Sequence, residues 1–258
     1  MDLGLRGKVA IVTGASEGIG RAIAHRLAAE GARVAICARR EDVLTRAAQE
    51  IAAATGAEVL AVPCDVTRPE DLERLVRRTV ERFGRLDILV NNAGRSAAHP
   101  LEETTDALWQ EDLDLKLMAA VRAIRLAVPH MRRAGGGAIV NITTVTGKAP
   151  TANSLPTSVS RAAGIALTKA CSKEFARDRI RVNTVCIGSI KSMQWVRRAQ
   201  ALGMDLDAFY AEQGTHIPLG RVGEAEEVAD LVAFLVSERA AYITGAAVNI
   251  DGGAGATV

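Results

Sequence analysis

The stretch KVAIVTGASEGIGRAIAHRLAAEGARVAICA, residues 8–38, contains the pattern that decides the fold. An apolar run typical of a buried strand leads into the glycine-rich turn TGASEGIG, and apolar residues at helical spacing, Ile23, Ala24 and Leu27, follow it. A second apolar run at residues 33–38 completes the unit. Glycines permit the tight turn, and free N–H groups at a helix start attract an anion. The stretch therefore predicts a strand–helix–strand unit that binds a pyrophosphate.

Similar apolar runs recur along the whole chain, with helical segments between them. They are KVAIVTG, RVAICAR, EVLAVPCD, LDILVNNAG, AIVNITT, IRVNTVCIG and AAVNIDGG. Strands that alternate with helices form a mostly parallel sheet, with helices on both faces. Ligands bind at the carboxyl ends of such strands, where these runs become small or polar. We expect one α/β domain over residues 1–258.

The alternation is interrupted late in the chain, and we interpret residues at about 191–218 as an insert that covers a ligand site. This segment contains Trp195, Phe209 and Tyr210. Clustered aromatic residues suit an apolar or acyl substrate. The alternative is that they only pack the insert onto the domain.

Composition excludes several classes of function. A formal net charge of +2 gives no indication of a nucleic-acid groove. No apolar run reaches the roughly 18 residues that a membrane span requires, and the first residues lack a signal-peptide pattern. The four histidines are scattered. We therefore expect a cytoplasmic protein with a small-molecule substrate, no membrane or nucleic-acid partner and no metal.

The end of the second apolar run indicates which dinucleotide binds, because this end meets the adenosine ribose. An acidic residue here would bind the 2′-hydroxyl of NAD(H), but the position is Ala38. Arg39 follows, and its planar fork suits a 2′-phosphate. We predict NADP(H), with NAD(H) as the alternative if Arg39 is only a solvated charge.

Several motifs in order resemble the short-chain dehydrogenase/reductase family in its classical form. They are TGxxxGxG, CDV at residues 64–66, NNAG at residues 91–94 and IRVNTVCIG at residues 180–188. The resemblance covers almost the whole chain. It implies a doubly wound, Rossmann-type, seven-stranded parallel sheet, a nicotinamide cofactor and a homotetramer, with a dimer as the alternative.

The resemblance also implies a set of cofactor contacts. Asp65 and Val66 would contact adenine, and Ile190 and Ser192 would face the nicotinamide amide. The candidate cofactor-binding residues are Gly14, Ser16, Gly18, Ile19, Gly20, Arg39, Asp65, Val66, Asn91, Asn92, Ala93, Gly94, Arg161, Ile190 and Ser192.

All four catalytic positions of the family differ in this chain. Lys116 stands at the asparagine, Thr144 at the serine, Thr157 at the tyrosine and Arg161 at the lysine. Thr144 keeps a hydroxyl group. Thr157 cannot ionise as a phenol does, so the usual general acid is lost. Arg161 can hold the nicotinamide ribose, but it cannot relay protons because its guanidinium stays charged.

Three interpretations of the site remain open. In the first, Lys116 and Arg161 stabilise an oxyanion while a carbonyl or enoyl-type compound is reduced. In the second, the proton donor is either Lys116 itself or a hydroxyl group other than that of Thr157; the candidate hydroxyls are those of Ser154, Ser158, Ser160 and Tyr210. In the third, the protein binds NADP(H) without turnover, as a sensor or an assembly subunit.

The charges near the expected cleft suggest a preference among substrates. Arg95 and Lys191 would, together with Lys116 and Arg161, make the cleft positive and receptive to an anionic or acyl substrate such as a carboxylate, a phosphate or a CoA ester.

Overall fold

A computed structural model of the chain describes residues 2–257. Nine strands are present: β1 Val9–Thr13, β2 Arg33–Ala38, β3 Val59–Pro63, β4 Ile88–Asn91, β5 Ala98–His99, β6 Gly137–Thr144, β7 Leu155–Pro156, β8 Ile180–Ile187 and β9 Ala247–Ile250. Seven of them form one sheet in the order β3-β2-β1-β4-β6-β8-β9. Every neighbouring pair in this sheet is parallel. This confirms the predicted Rossmann-type fold, because each apolar run of the sequence supplies one strand of the sheet.

Nine α-helices connect the strands in the described part of the chain. They are α1 Gly18–Ala29, α2 Glu41–Thr55, α3 Pro69–Phe83, α4 Asp106–Leu113, α5 Ala119–Ala134, α6 Thr157–Glu174, α7 Met193–Ala201, α8 Leu206–Gly214 and α9 Ala225–Val236. Apolar residues of α1, α2 and α9 form a core on one face of the sheet, and residues of α3, α5 and α6 contribute to a second core on the other. The helices therefore cover both faces, as predicted.

Helix α3 illustrates how the sequence positions these elements. Pro69 stands at its first position, where the missing N–H is not needed. Leu72, Leu75 and Val76 recur at helical spacing and are buried against the sheet. The helix ends at Gly84, whose left-handed backbone favours glycine.

Two local features have no signal in the apolar pattern. Residues Asp114–Met118 form a π-helical turn between α4 and α5, and turns of this kind occur often at functional sites. Strands β5 and β7 form a short antiparallel pair above the main sheet, in which Ala98 faces Pro156. Both features lie beside the positions of the family's catalytic residues.

Candidate active site

The glycine-rich turn joins β1 to α1 and leaves no room for a side chain at Gly14 or at Gly20. Gly14 has a φ of +64°, and a Cβ added there would lie 2.8 Å from the Cα of Ala93. A Cβ at Gly20 would overlap the carbonyl oxygen of Gly14 and the side chain of Asn92. The N-terminal backbone N–H groups of α1 receive no side-chain cap from Glu17. These groups are therefore free to bind a phosphate.

Replacing Gly20 with alanine should weaken cofactor binding strongly, because the new methyl group forces Gly14 and Asn92 apart and opens the turn. We expect a loss of at least about 1.4 kcal/mol in cofactor binding, or tenfold in affinity. Gly164→Ala in α6 is the control, since its added Cβ would meet only one Thr143 methyl carbon, at 3.3 Å. Fluorescence titration with NADPH measures both variants, and equal affinities would contradict the prediction.

The NNAG segment holds this turn in place. The Thr13 hydroxyl accepts hydrogen bonds from the backbone N–H groups of Asn92 and Ala93, at 3.0 and 3.1 Å. The Asn92 amide donates to the carbonyl oxygens of Thr13 and Gly14, both at 3.0 Å. Asn91 donates to the Asn141 side chain at 2.8 Å. The asparagine side chains therefore join β1, β4 and β6.

At the expected adenosine end, Arg39 and Arg40 differ in their surroundings. Arg40 forms an ion pair with Glu17 at 2.5 Å, and Arg197 of α7 approaches the same carboxylate at 3.7 Å. Glu17 is thereby neutralised despite its position in the phosphate-binding turn. Arg39 is exposed and has no ion pair among residues 2–257, so its guanidinium is available for a phosphate.

The remaining predicted cofactor residues have mixed surroundings. One Asp65 oxygen accepts two hydrogen bonds from Thr67, through its backbone N–H at 3.0 Å and its hydroxyl at 2.8 Å. Val66 and Ile190 are buried, and Ile190 pairs with Gly223. Ser192 is the residue before α7 and lies near Gly18. Asp65 and Ile190 thus also stabilise the local fold.

Two of the four catalytic candidates are in direct contact. The Lys116 ammonium, in the π-helical turn, donates a hydrogen bond to the Thr157 hydroxyl at the start of α6, at 2.7 Å. It also forms a short ion pair with Asp112. The Lys116 side chain is 0% exposed. Lys116 is therefore held inside the domain and does not face the solvent.

The Thr157 hydroxyl has a full set of hydrogen bonds. It donates to the carbonyl oxygen of Ala97 at 2.9 Å. It accepts from Lys116 and from the Ala97 backbone N–H, the latter at 2.9 Å. A hydroxyl has one donor and two acceptor sites. In this arrangement Thr157 fastens the segment after β4 to α6, and a substrate can bind its oxygen only if one of these bonds is exchanged.

Arg161 lies one helical turn after Thr157 and points towards the sheet. Its guanidinium donates to the carbonyl oxygen of Ile142 at 2.7 Å, and a Cβ on Gly94 would lie 2.5 Å from its Nη2. Burial lowers the pKa of Arg161 to about 10, so it remains a cation at neutral pH. Thr144, at the end of β6, bonds the Thr146 hydroxyl at 2.7 Å instead of any other catalytic candidate.

The other hydroxyls considered as proton donors lie in different settings. Ser160 donates to the Asp112 carboxylate at 2.6 Å, whereas Ser154 donates to the carbonyl oxygen of Thr151. Ser158 is fully buried and its hydroxyl has no partner in the described part of the chain. Burial raises the pKa of Tyr210, which stacks under Lys191. Of these four hydroxyls, that of Ser160 is the one bonded to a direct partner of Lys116, the Asp112 carboxylate.

The insert contains α7 and α8, and its aromatic residues pack on one another. The rings of Trp195 and Phe209 lie 5.6 Å apart, and Phe209 is buried. Gln194 of α7 accepts a hydrogen bond from the backbone N–H of Ser96 at 2.9 Å. The insert therefore contacts Ser96, the neighbour of Ala97, to which the Thr157 hydroxyl is bonded.

Two cations expected to charge the cleft have carboxylate partners. Arg95 pairs with Glu111 and Lys191 with Glu224, each at 2.5 Å. These pairs weaken the expectation of a positive cleft, because the nearby carboxylates offset both charges.

Asp112 was absent from the predicted site, although its spacing of four residues from Lys116 is the sequence signal that could have revealed it.

The structure contains neither a helix that could span a membrane nor a metal site within residues 2–257. No helix there is both long and apolar enough to cross a bilayer. No group of three histidine, cysteine or acidic side chains is arranged to hold a metal ion.

The fold and the turn define a dinucleotide-binding protein, and comparisons identify its family. A family model described as enoyl-(acyl carrier protein) reductase matches residues 14–255. L-fucose dehydrogenase from Oryctolagus cuniculus is 40% identical over 96% of this chain and 85% of its own length. The 3-oxoacyl-[acyl-carrier-protein] reductase of Staphylococcus epidermidis is 37% identical over 95% of this chain and 98% of its own. The chain belongs to the short-chain dehydrogenase/reductase family, as its motifs predicted.

Solved structures agree with this assignment. L-sorbose reductase from Gluconobacter frateurii, in complex with NADPH and L-sorbose, superimposes with a TM-score of 0.97 at 39% identity and full coverage of both chains. An actinorhodin polyketide ketoreductase with NADPH gives a TM-score of 0.90 at 36% identity, covering 97% of this chain and 98% of its own.

Proposed function

We propose that the protein is an NADP(H)-dependent reductase of a small carbonyl or enoyl-type compound, working with non-standard catalytic residues. The observation that carries this proposal is the buried contact between Lys116 and Thr157. It places an ionisable amine next to the position at which the family has its catalytic acid. A proton source is therefore available although the phenol is missing.

The described residues fit the cofactor. The crowded turn around Gly14 and Gly20 admits a phosphate, and Arg39 is free to bind a 2′-phosphate. Two similar structures contain NADPH. When bound, NADPH supplies the hydride. The residues expected to hold it are the predicted set, with Arg161 next to the nicotinamide ribose.

The charges near Arg161 favour the reducing direction. Arg161 and Lys116 are both cations at neutral pH, and Asp112 compensates only one of them. An excess positive charge disfavours the positively charged oxidised cofactor and stabilises an oxyanion that develops on the substrate. Thr144 offers a further hydroxyl to the same oxygen.

The substrate class rests on the insert and on the relatives. L-sorbose reductase and the ketoreductase act on carbonyl compounds as their names state. The packed aromatic residues of α7 and α8 suit a substrate with an apolar or acyl part. We propose a small carbonyl compound, with an enoyl compound as the second choice.

Turnover is the decisive experiment. NADPH binding is first measured by fluorescence, and NADPH oxidation is then followed with panels of ketoses, ketoacyl thioesters and enoyl thioesters. We expect binding together with oxidation by at least one carbonyl panel. Binding without oxidation in any panel would overturn the reductase proposal.

Replacing Arg39 with alanine should weaken NADPH binding by about tenfold or more, because a hydrogen bond to a charged group contributes about 1.5–3 kcal/mol. NADH binding should not change, since NADH has no 2′-phosphate. Arg46→Ala, an exposed arginine of α2, is the matched control. If both cofactors lost affinity equally, Arg39 would not be the 2′-phosphate ligand.

A second candidate function is NADP(H) binding without turnover, as a sensor or an assembly subunit. The saturated hydroxyl of Thr157 and the covered Lys116 favour it, because neither group is open to a substrate. The same panels separate the two functions. A homotetramer in the cytoplasm remains our expectation, and light scattering of the purified protein tests the assembly.

A further inference from the structure

Lys116 cannot touch a substrate directly in this structure. Its side chain is 0% exposed, and its ammonium contacts the Asp112 carboxylate and the Thr157 hydroxyl. Asp112 is 3% exposed and Thr157 is 8% exposed. A proton that leaves Lys116 along its hydrogen bonds passes through one of these two partners, and Thr157 is the more exposed of the two.

We propose that Lys116 delivers the proton of the reaction through the Thr157 hydroxyl, and that Asp112 and Ser160 are positioning residues of this relay. The inference rests on the proposed reductase function. It makes Thr157 a proton carrier, which is a role that does not require the hydroxyl to exist as an alkoxide.

The bonds of the relay balance as follows. The substrate oxygen first replaces the carbonyl oxygen of Ala97 as the acceptor of the Thr157 hydroxyl hydrogen. As the carbonyl carbon receives the hydride that bound NADPH would supply, the substrate oxygen forms a bond with this hydrogen, and the O–H bond of Thr157 breaks. In the same step one N–H bond of Lys116 breaks and its proton joins Oγ1. Thr157 ends as a hydroxyl, Lys116 ends as a neutral amine, and the substrate ends as an alcohol. Because one proton arrives as the other leaves, the high pKa of an aliphatic alcohol is no obstacle.

Asp112 and Ser160 fix the two ends of this path. One Asp112 oxygen binds Lys116, and the other accepts a hydrogen bond from Ser160 at 2.6 Å. Ser160 lies in the first turn of α6 and also approaches the carbonyl oxygen of Thr157 at 3.0 Å. The carboxylate thus joins α4 to α6 and sets the distance between Lys116 and Thr157. All four residues are buried, so this geometry is shielded from water.

The electrostatics of the cluster suit a proton donor. Burial and the Arg161 charge lower the pKa of Lys116 to about 8, with Arg95 adding to the effect, while Asp112 opposes it. An amine that titrates near neutral pH releases its proton more readily than an ordinary lysine.

A small cavity gives Lys116 a way to recover its proton. The cavity has a volume of about 20 Å³, and the residues that line it include Lys116, Asn91, Asn141 and Ser160. This space admits one water molecule, and its polar lining provides hydrogen-bond partners. Water that enters the cavity can pass a proton from the bulk solvent to the neutral amine between turnovers, and remains water.

Two variants of Thr157 test the relay. Thr157→Val removes the hydroxyl with little change of shape, and we expect kcat to fall by about 100-fold or more. KM and the NADPH affinity should change little. Thr157→Ser keeps the hydroxyl and should retain most of the activity. Circular dichroism and thermal melting verify that both variants are folded.

The positioning residues are tested through pH. Activity requires protonated Lys116, so kcat should be constant below about pH 8 and fall above it. Asp112→Asn removes the charge that stabilises the ammonium, and the alkaline fall should move down by about one to three pH units. Ser160→Ala removes a hydrogen bond to the Asp112 carboxylate, so the carboxylate stabilises the Lys116 ammonium more strongly. The decline of kcat should therefore begin at a slightly higher pH. NMR of isotope-labelled lysine reports the same shifts without turnover.

The outcomes separate the two proposals. If the wild-type protein binds NADPH but reduces nothing, both the reductase function and the relay are overturned. If the wild type is active while Thr157→Val is as active as Thr157→Ser, the relay alone is wrong. If Asp112→Asn is folded and active and its pH profile matches the wild type, Asp112 is not a positioning residue.

Discussion

Replacing Lys116 with methionine and Asp112 with asparagine in one variant should reduce turnover by about 100- to 10,000-fold, the range that general-acid help is worth. The NADPH affinity should be unchanged. Both residues are exchanged because the buried Asp112 carboxylate would otherwise be left without its cation. Such an uncompensated charge costs about 3–5 kcal/mol of stability, and a loss of folding would then mimic a loss of catalysis.

Asp112→Asn alone is the matched control, since it keeps the amine and should be active below its lowered alkaline decline of kcat. Because it leaves the buried ammonium without its counter-ion, circular dichroism verifies that it is folded. Lys169→Met, on the exposed side of α6, controls for the removal of a positive charge. Steady-state kinetics from about pH 5 to pH 9 and NADPH titration provide the data. Turnover of the double variant within about threefold of wild type would exclude Lys116 as the proton source.

Replacing Thr157 with tyrosine alone should lower turnover by about 100-fold or more, although it restores the residue that the family uses. The exchange removes the oxygen that accepts from Lys116 and from the Ala97 backbone N–H. Each buried donor left without a partner costs about 1–3 kcal/mol. The phenol also lacks the family's lysine, because Arg161 is bound to Ile142.

The triple variant Lys116→Asn, Thr157→Tyr and Arg161→Lys should recover activity relative to the single one, since it removes the buried cation and supplies the lysine partner of the phenol. The alkaline fall of kcat should then follow the phenol rather than Lys116. Ketone reduction and pH profiles of the single and triple variants measure this. A single Thr157→Tyr variant more active than wild type would contradict this prediction.

The sheet could be predicted because its signals are local. Each of the seven strands is an apolar run, and helical spacing marks the helices between them, as at Leu72, Leu75 and Val76. The phosphate-binding turn could be predicted for the same reason, since Gly14 and Gly20 are required by contacts within one short unit.

The site was less predictable because its contacts join distant segments. Lys116 and Thr157 were singled out from their alignment with the family's motifs, but their hydrogen bond spans 41 residues of the chain. The π-helical turn that directs Lys116 inwards has no periodic signal. Arg95 and Lys191 appeared as free cations in the sequence, whereas their carboxylate partners depend on the fold.

The sharing of one carboxylate by Lys116 and Ser160 limits how this site can evolve. A change at Lys116 leaves Asp112 as a buried, unpaired charge, and a change at Asp112 leaves the amine without its counter-ion. Single exchanges therefore lower the stability of the fold, whereas a joint exchange of Asp112 and Lys116 avoids this cost, although it removes the proton source. We therefore expect that, in evolution, a change from this site to one that uses a tyrosine requires uncharged residues at both Asp112 and Lys116 before an aromatic residue replaces Thr157.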